Sequence, residues 1–327
     1  MADRGQHPDQ PSVTAPLRVL HCPVNTAGIP WANSQALRRR GVESDLLVFN
    51  RYKLHPEADI SLERHGNLLR QQATQWRAFL ELLPRYDVFH FYSSVTLVPK
   101  SVQFRILHAL GKKGVYQYLG SDIRGKTREE LAYGLKADAE IVSSYDAIRW
   151  VPDAEMILPG VEVSAIAPAI PSADQKRPLI VHAPSSRRRK GTEHVVAAVE
   201  GLDADFRLVE GLTHDEAFEL YREADIVVDQ LNAGWYGVFA IECLALGKPV
   251  VTFLHDEAVR RTEEAYGVEV PVVSATAETL RERLRPLVED APLRHRIGAA
   301  SRAYAERLHD IDAIAGELVA LYERIRS

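Results

Sequence analysis

A run of four basic residues, Arg187–Lys190, directly precedes a predicted helix that begins near Thr192. Backbone N–H groups and the helix dipole favour an anion at such a position, and neighbouring cationic side chains add to that attraction. Gly191 lets a ligand approach the backbone closely because it has no side chain. The pattern predicts a diphosphate site with Lys190 at the start of the helix, and a solvated basic turn stays open as the alternative for the arginines.

A second segment, residues 225–251, combines a strand, a glycine-containing turn and a helix. The turn contains Gly234 and Gly237, and Glu242 follows in the second turn of the helix among apolar neighbours. A carboxylate can accept hydrogen bonds from the two vicinal hydroxyls of a ribose. Glycines before a helix favour backbone amides around an anion. The segment therefore predicts the ribose and phosphate part of a nucleotide site.

A third segment, which starts at Gly120 and ends at Thr127, reads GSDIRGKT and fits the P-loop pattern of nucleoside triphosphatases. The interior of the loop lacks further glycines, and Asp122 would place a negative charge beside the phosphates. The motif also follows a late strand, whereas a P-loop usually follows an early one. A P-loop triphosphatase stays open as an alternative.

Short apolar runs alternate with amphipathic segments along the chain, which is typical of parallel sheets with helices on both faces. Helical patterns include residues 31–40 and the long stretch 62–84. The predicted strands cover residues 17–22, 45–49, 87–91, 114–118, 140–143, 155–158, 178–182, 206–209, 225–229 and 249–253.

A proline-rich polar stretch at residues 167–178 interrupts this alternation and is typical of a linker. We therefore predict one Rossmann-like domain over residues 17–166 and a second over 179–309. Residues 310–327 are predicted to form a helix that packs back on the first domain, and residues 1–16 a disordered tail. Two open α/β domains leave a cleft between them, and ligands of such sheets bind at the carboxyl ends of the strands.

The composition restricts the class of protein. The 327 residues are 46% hydrophobic and 26% charged, and the net charge of −5 gives no electrostatic argument for nucleic-acid binding. Cys22 and Cys243 are the two cysteines, which excludes a disulfide framework and favours a cytoplasmic location. We expect neither a signal peptide nor a transmembrane segment. Residues 100–136 hold eight basic and three acidic residues, which allows peripheral contact with an anionic membrane.

Several segments resemble the GT-B glycosyltransferases, specifically the retaining group called family 4. HAPSSRRRKGTEHV and GWYGVFAIECLALGKPVV resemble the donor half of that family. LRVLHCPVNTAGIPWANSQALRRRGVESDLLVF resembles its first strand, glycine loop and first helix, and YDVFHFYSS and YQYLGSDIR resemble its middle strands. The resemblance covers residues 17–322. It implies two Rossmann-like doubly wound domains facing a cleft, a nucleotide-sugar donor, retention of anomeric configuration, and neither a metal nor another cofactor.

Residue by residue, the resemblance implies that Lys190 binds the donor diphosphate and that Glu242 binds the ribose. The first glutamate of the family's paired motif, which contacts the transferred sugar, is replaced here by Gly234. The other implied site residues are Arg187, Arg189 and Gly28 for the diphosphate, Gly237, Val238 and Phe239 for the ribose and sugar, Asn25, Tyr92 and Arg124 for the acceptor cleft, and His90 and Asp122 for catalysis.

Two further functions stay open. The replacement at Gly234 would also fit a catalytically inactive GT-B-like partner protein, and the same fold serves sugar-nucleotide epimerases. Two Asp-x-Asp triplets, Asp203/Asp205 and Asp310/Asp312, match the motif of metal-dependent sugar transferases of another fold, but chance explains them in a chain this rich in acids. The acceptor could be a small molecule, a glycan or a lipid-linked sugar. The base, the sugar and the oligomeric state are not encoded in these motifs.

Overall fold

The computed structural model describes residues 16–120 and 122–327, so residues 1–15 of the predicted tail and Ser121 lie outside the described residues. The first half of the chain forms a seven-stranded parallel sheet with the order β3-β2-β1-β4-β5-β6-β7. Its strands are β1 (Arg18–Cys22), β2 (Glu43–Val48), β3 (Ile60–Ser61), β4 (Val88–Tyr92), β5 (Lys113–Tyr118), β6 (Ala139–Val142) and β7 (Glu155–Met156).

The second half forms a five-stranded parallel sheet with the order β12-β11-β10-β8-β9. Its strands are β8 (Leu179–His182), β9 (Asp205–Leu208), β10 (Ile226–Val228), β11 (Val250–Thr252) and β12 (Val273–Ser274). Both strand orders are those of doubly wound nucleotide-binding folds. Each sheet reverses its order at one point: between β1 and β4 in the first and between β8 and β10 in the second.

Helices connect the strands. The first half contains α1 (Ile29–Arg39), α2 (Leu68–Leu82), α3 (Lys100–Ala109) and α4 (Arg128–Ala132). The second half contains α5 (Arg187–Lys190), α6 (Thr192–Val199), α7 (His214–Glu223), α8 (Val238–Ala245), α9 (Asp256–Tyr266), α10 (Leu280–Glu289), α11 (Ala291–Leu308) and α12 (Ile311–Arg326).

Both faces of the first sheet are covered by apolar side chains. Successive residues of a strand point to opposite faces, and Val19 and Leu20 of β1 accordingly join two different buried clusters. Val88 and Phe89 of β4 divide in the same way. The second sheet repeats this arrangement, so each sheet has two buried faces, as parallel sheets require.

The last helix returns to the first sheet. α12 packs along α1, where Arg39 forms an ion pair with Asp312 at 2.9 Å. The hydroxyl of Tyr322 lies 2.6 Å from Nδ1 of His90 on β4. The chain therefore crosses between the two halves twice.

Predicted and observed elements agree closely in their positions. Every predicted strand is present, with ends that differ by no more than two residues. The two-residue strands β3 and β12 and the single-turn helix α5 were not predicted, because so few residues carry no periodic pattern. The stretch 62–84 forms a helix only over Leu68–Leu82. Residues 167–178 contain neither helix nor strand and are fixed to the second half, where the Ala169 N–H donates to the Leu246 carbonyl.

Candidate functional site

A cleft of about 1020 Å³ lies where the carboxyl ends of the two sheets face each other. Doubly wound sheets bind ligands at the point where the strand order reverses, and the loops after β1, β8 and β10 all line this cleft. Its first-half lining includes Thr26, Ala27, Lys53, His55, Arg124 and Ser144. Its second-half lining includes Arg188, Arg189, Lys190, His214, Gly237 and Glu242.

A buried histidine fixes the positions of the loops in the second half relative to one another. His182, the last residue of β8, places Nδ1 2.8 Å from the Val228 carbonyl of β10 and Nε2 2.9 Å from the Thr192 hydroxyl at the start of α6. Burial lowers the pKa of His182, so the ring is neutral and can both donate and accept. The position of the basic turn α5 relative to β10 is thereby fixed.

Lys190 is positioned by a carboxylate that the sequence motifs did not reveal. Asp229 follows β10 and has no exposed side-chain surface. Its Oδ1 accepts from Lys190 Nζ at 2.6 Å, and its Oδ2 accepts from the Gly237 N–H at 2.8 Å. One buried carboxylate therefore fixes the lysine and the loop before α8 in the same place, while the ammonium keeps donors for a ligand. A charged residue at the end of an apolar strand was the signal that could have identified Asp229.

The arginines of the basic turn divide into two groups. Arg188 and Arg189 line the cleft beside Lys190. Arg187 points elsewhere and forms ion pairs with Glu193 at 2.8 Å and Glu210 at 2.9 Å. Arg187 therefore does not face the cleft in this structure, because two carboxylates hold its guanidinium, and its diphosphate contact stays a prediction. Arg188 takes its place on the cleft wall.

One helix begins at the cleft without a capping side chain. α8 follows Gly237, which cannot supply a side-chain acceptor for the first N–H groups of the helix. Val238 at the start of α8 lines the cleft, as do Thr26 and Ala27 before α1, but the first turn of α1 contains Pro30 and its Trp31 N–H donates to Oδ1 of Asn25 at 3.3 Å. The uncapped N–H groups and the dipole of α8 make this part of the cleft favourable for an anion. Gly28 itself has φ +71° and lies beneath the His55 ring rather than on the cleft surface.

Glu242, in the second turn of α8, also lines the cleft. Its Oε1 accepts from Nε2 of His214 at 2.7 Å, and this hydrogen bond raises the pKa of His214 to about 9, against the opposing effect of burial. The His55 ring of the first half stands 5.5 Å from the His214 ring. The Oε2 of Glu242 meets no hydrogen-bond donor among residues 16–120 and 122–327, so it can accept from a ligand. The sequence motifs predicted Glu242 but not His214.

The helix start beside Glu242 also belongs to the cleft. Gly237, Val238 and Phe239 all line it, as their place in the sequence motif predicts. Phe239 rests against the Tyr221 ring at 4.6 Å. This apolar surface next to a carboxylate suits a ribose, which has an apolar ring and polar hydroxyls.

Three predicted cleft residues are buried instead. His90 and Tyr92 on β4 have no exposed surface and lie in a polar cluster, in which the Tyr92 hydroxyl lies 2.7 Å from Nδ1 of His21. Burial lowers the pKa of His90 well below its usual value. Asn25 is 3% exposed, and its amide donates to the carbonyl of Glu57 at 3.2 Å. The structure therefore does not place His90, Tyr92 or Asn25 on the surface of the cleft, and their catalytic and acceptor-binding roles stay predictions.

The loop after β5 does not form a phosphate-binding loop. The N–H groups of Ile123 and Arg124 donate to the Gly120 carbonyl, and the Asp122 carboxylate accepts from the Leu119 N–H at 2.9 Å. Thr127 caps its own five-residue helix α4 instead of presenting its hydroxyl to a ligand. These bonds use the groups that a P-loop directs at phosphates. They also give Asp122 a structural role in place of the predicted catalytic one.

Arg124 does line the cleft, as predicted for the acceptor side. Its Nη2 pairs at 3.1 Å with the fully buried carboxylate of Asp146. Its Nε is buried and has no hydrogen-bond partner among residues 16–120 and 122–327. The guanidinium is thus held firmly and keeps an unused donor.

Gly234 lies in the loop before α8, between the cleft residues Ala233 and Trp235. Its φ is +82°, and a Cβ atom built there would lie 2.1 Å from the His255 ring. The imidazole of His255 therefore fills the space that a side chain at position 234 would take. The loop after β11 thus places an imidazole where a side chain at position 234 would lie.

The two Asp-x-Asp triplets lie outside the cleft. Asp203 and Asp205 both pair with Arg177 on the exposed surface. Asp310 caps α12, and Asp312 pairs with Arg39. Each acidic group has a structural partner.

Solved structures share this architecture. HepE from Anabaena, solved with UDP and glucose, has a TM-score of 0.65 and 13% identity, and the match covers 94% of this chain and 100% of that one. Sucrose-phosphate synthase from Thermosynechococcus elongatus has a TM-score of 0.67 and 17% identity over 95% and 99%. A Listeria monocytogenes chain assigned as a UDP-N-acetylglucosamine 2-epimerase has a TM-score of 0.57 and 13% identity over 94% and 95%. The likeness confirms the predicted GT-B fold, with two Rossmann-like domains facing a cleft.

At the level of sequence, no protein-family model and no curated protein matches the chain. In the described part of the chain, the helices are all too short or too polar to cross a membrane.

Proposed function

We propose that this protein is a glycosyltransferase that takes a sugar from a nucleoside diphosphate sugar and follows the retaining chemistry of the family 4 enzymes it resembles. The observation that carries the proposal is the arrangement around Asp229. This buried carboxylate fixes Lys190 and the start of α8 side by side, with Glu242 one helical turn further on. Lys190 and the backbone amides of α8 would bind the diphosphate, and the Glu242 carboxylate would accept hydrogen bonds from the ribose hydroxyls. This is the order in which a nucleotide presents these groups.

The leaving group decides what the cleft must stabilise. Breaking the bond between the sugar and the diphosphate builds negative charge on the phosphate oxygens while the sugar becomes oxocarbenium-like. Lys190, Arg188 and Arg189, together with the uncapped amides of α8, would stabilise that charge. Asp229 fixes Lys190 and the start of α8 before the substrate binds, so these two groups need little reorganisation. We propose that protein cations supply this stabilisation without a divalent metal ion.

The cleft carries positive charge although the protein as a whole is acidic. Five lysine and arginine side chains line it, against two glutamates, whereas the net charge of the chain is −5. A nucleoside diphosphate is attracted to such a site and repelled by much of the remaining surface. Both cysteines are free and buried, which suits the cytoplasm, where nucleotide sugars would meet the protein.

Thermal unfolding with a ligand panel tests the proposal. The panel contains UDP, GDP, ADP and CMP, their sugar conjugates, and ATP, each with and without magnesium. A ligand at one hundred times its dissociation constant stabilises the native state by about 2.7 kcal/mol. We expect one nucleoside diphosphate to raise the Tm without magnesium, and Lys190→Met to remove most of that shift.

Lys176→Met is the matched control, because Lys176 is an exposed lysine in the stretch between the two sheets. Its Tm shift should equal that of the wild type. Stabilisation by ATP with magnesium alone would contradict the proposal and favour the P-loop alternative. Conversion of a nucleotide sugar to its epimer without transfer would favour the epimerase alternative, for which a neighbour of the same fold gives support.

A further inference from the structure

A nucleotide sugar bound along the cleft would place its base and its sugar at opposite ends. The inference drawn from this order rests on the proposed function. Base, ribose, diphosphate and sugar follow one another, so a ribose at Glu242 and a diphosphate at Lys190 leave the sugar on the far side of Lys190. The cleft residues there are Ala233 and Trp235 of the second half, with Arg124 and Ser144 of the first.

His255 stands at this sugar end. Its ring occupies the space beside Gly234. The backbone N–H of His255 donates to the Gly234 carbonyl at 2.9 Å. Gly234 belongs to the loop that also contains Gly237, which is bonded to Asp229. His255 is therefore attached to the donor side of the cleft, in the same framework as the diphosphate site.

A guanidinium of the first half meets this ring. Nη2 of Arg149 donates to Nε2 of His255 at 2.9 Å, and its guanidinium stacks over Trp150 at 4.1 Å. Since Nε2 accepts, the proton of the neutral ring lies on Nδ1, which is then a donor. Arg149 has no carboxylate partner among residues 16–120 and 122–327.

Arg149, His255, Arg124 and Asp146 form one electrostatic group, named here the Arg149 cluster. Burial, together with the nearby guanidinium of Arg149, lowers the pKa of His255, and Arg124 acts in the same direction. The single carboxylate of the cluster, on Asp146, is already paired with Arg124 and accepts a hydrogen bond from Ser144. Asp256, the residue after His255, opposes the lowering of this pKa together with Asp146 but forms no ion pair with Arg149, so the Arg149 guanidinium has no carboxylate contact in the part of the chain that the structure describes.

We propose that the Arg149 cluster binds a carboxylate on the transferred sugar, so that the donor is a nucleoside diphosphate hexuronate. A guanidinium presents two parallel donors that match the two oxygens of a carboxylate, and this geometry is stronger than a contact with a hydroxyl. The cleft-lining guanidinium of Arg124 and the Nδ1 donor of His255 add to the same site. A neutral hexose would offer Arg149 only hydroxyl groups, which make weaker contacts with a guanidinium than a carboxylate does.

Titration calorimetry with matched donor pairs tests the inference. The probes are UDP-glucuronate and UDP-glucose, GDP-mannuronate and GDP-mannose, and UDP and GDP alone. We expect the uronate of the preferred base to bind about tenfold more tightly than its neutral hexose. Arg149→Gln should abolish that preference and change the affinity for the free nucleoside diphosphate less than about twofold. Arg105→Gln, which removes an exposed arginine on α3, should keep the preference.

Three outcomes would overturn the inference alone, with nucleoside diphosphate binding intact: equal binding of uronate and hexose, a preference that survives in Arg149→Gln, or an equal loss of affinity for the free diphosphate in that variant. The last result would mean that Arg149 contacts the diphosphate. Failure of every nucleoside diphosphate to bind would overturn the proposed function as well, so the two failures are distinguishable.

Discussion

Glu242 presents its two carboxylate oxygens to different partners. Oε1 holds His214, and Oε2 is left for the ribose hydroxyls. Glu242→Gln keeps the shape of the side chain but removes the charge from both contacts. Hydrogen bonds to a charged group contribute about 1.5–3 kcal/mol, so we expect nucleoside diphosphate affinity to fall about tenfold or more by calorimetry. Unchanged affinity would remove Glu242 from the site.

The hydrogen bond between His214 and Glu242 makes the free energy of unfolding depend on pH in a defined direction. The pKa of His214 is about 9 in the folded state and about 6.5 unfolded, so the stabilisation is complete below pH 6.5 and disappears as the pH rises through 9. His214 is partly exposed, so we expect a loss of about 1–2 kcal/mol between these limits. Denaturant unfolding of the wild type and of His214→Asn at pH 6 and pH 9.5 measures this loss of stability. An equal change in both proteins would refute the assignment to this pair.

Sequence motifs predicted that Lys190 and Glu242 line the cleft because their neighbours carry a pattern, whereas His90, Tyr92 and Asn25 are buried. All five residues of β4 are buried, so alternation does not show that His90 and Tyr92 point away from the cleft. Asn25 is turned inward by bonds to the Glu57 carbonyl and the Trp31 N–H. Asp229 lies in the predicted segment 225–251 without a predicted role, and Arg149 and His255 lie outside the predicted motifs. Their roles come from contacts between residues that are distant in the sequence.

The C-terminal helix α12 contributes its apolar face to the first half of the protein. Ile314, Leu318 and Leu321 are buried, and the helix lies along α1. Leu318→Ala would leave a cavity and should lower the free energy of unfolding by about 2–5 kcal/mol, measured by denaturant titration. Leu80→Ala, on the exposed face of α2, should change it by less than about 0.5 kcal/mol. Equal effects would mean that α12 is not an integral part of the fold.

The long helices and strands could be predicted from the sequence because a hydrophobic period becomes recognisable over many residues. The ten predicted strands and the helices predicted at residues 31–40 and 310–327 agree with the structure to within two residues. The helix predicted over residues 62–84 begins only at Leu68, and β3, β12 and α5 carry no pattern long enough to predict them. The basic run was predicted to precede a helix. In the structure it forms the separate turn α5, which Gly191 at φ +78° ends before α6 begins.

Polar contacts join the two halves around the cleft. Lys53 Nζ donates to the Gly211 carbonyl at 3.1 Å, His55 stands beside His214, and Arg149 bonds His255. The fold class could be predicted because it follows from the alternation of elements. The sugar end of the cleft could not, because it depends on how a loop after β6 faces a loop after β11. A donor placed between these contacts would touch both halves at once.

A crystal structure of the protein with the nucleoside diphosphate selected by the thermal panel tests the central claim most directly. The account predicts diphosphate oxygens within hydrogen-bond distance of Lys190 Nζ and of the N–H groups at the start of α8, with the ribose hydroxyls at Glu242. Phosphates bound instead at the loop between Gly120 and Thr127, or a nucleotide outside the cleft, would contradict it.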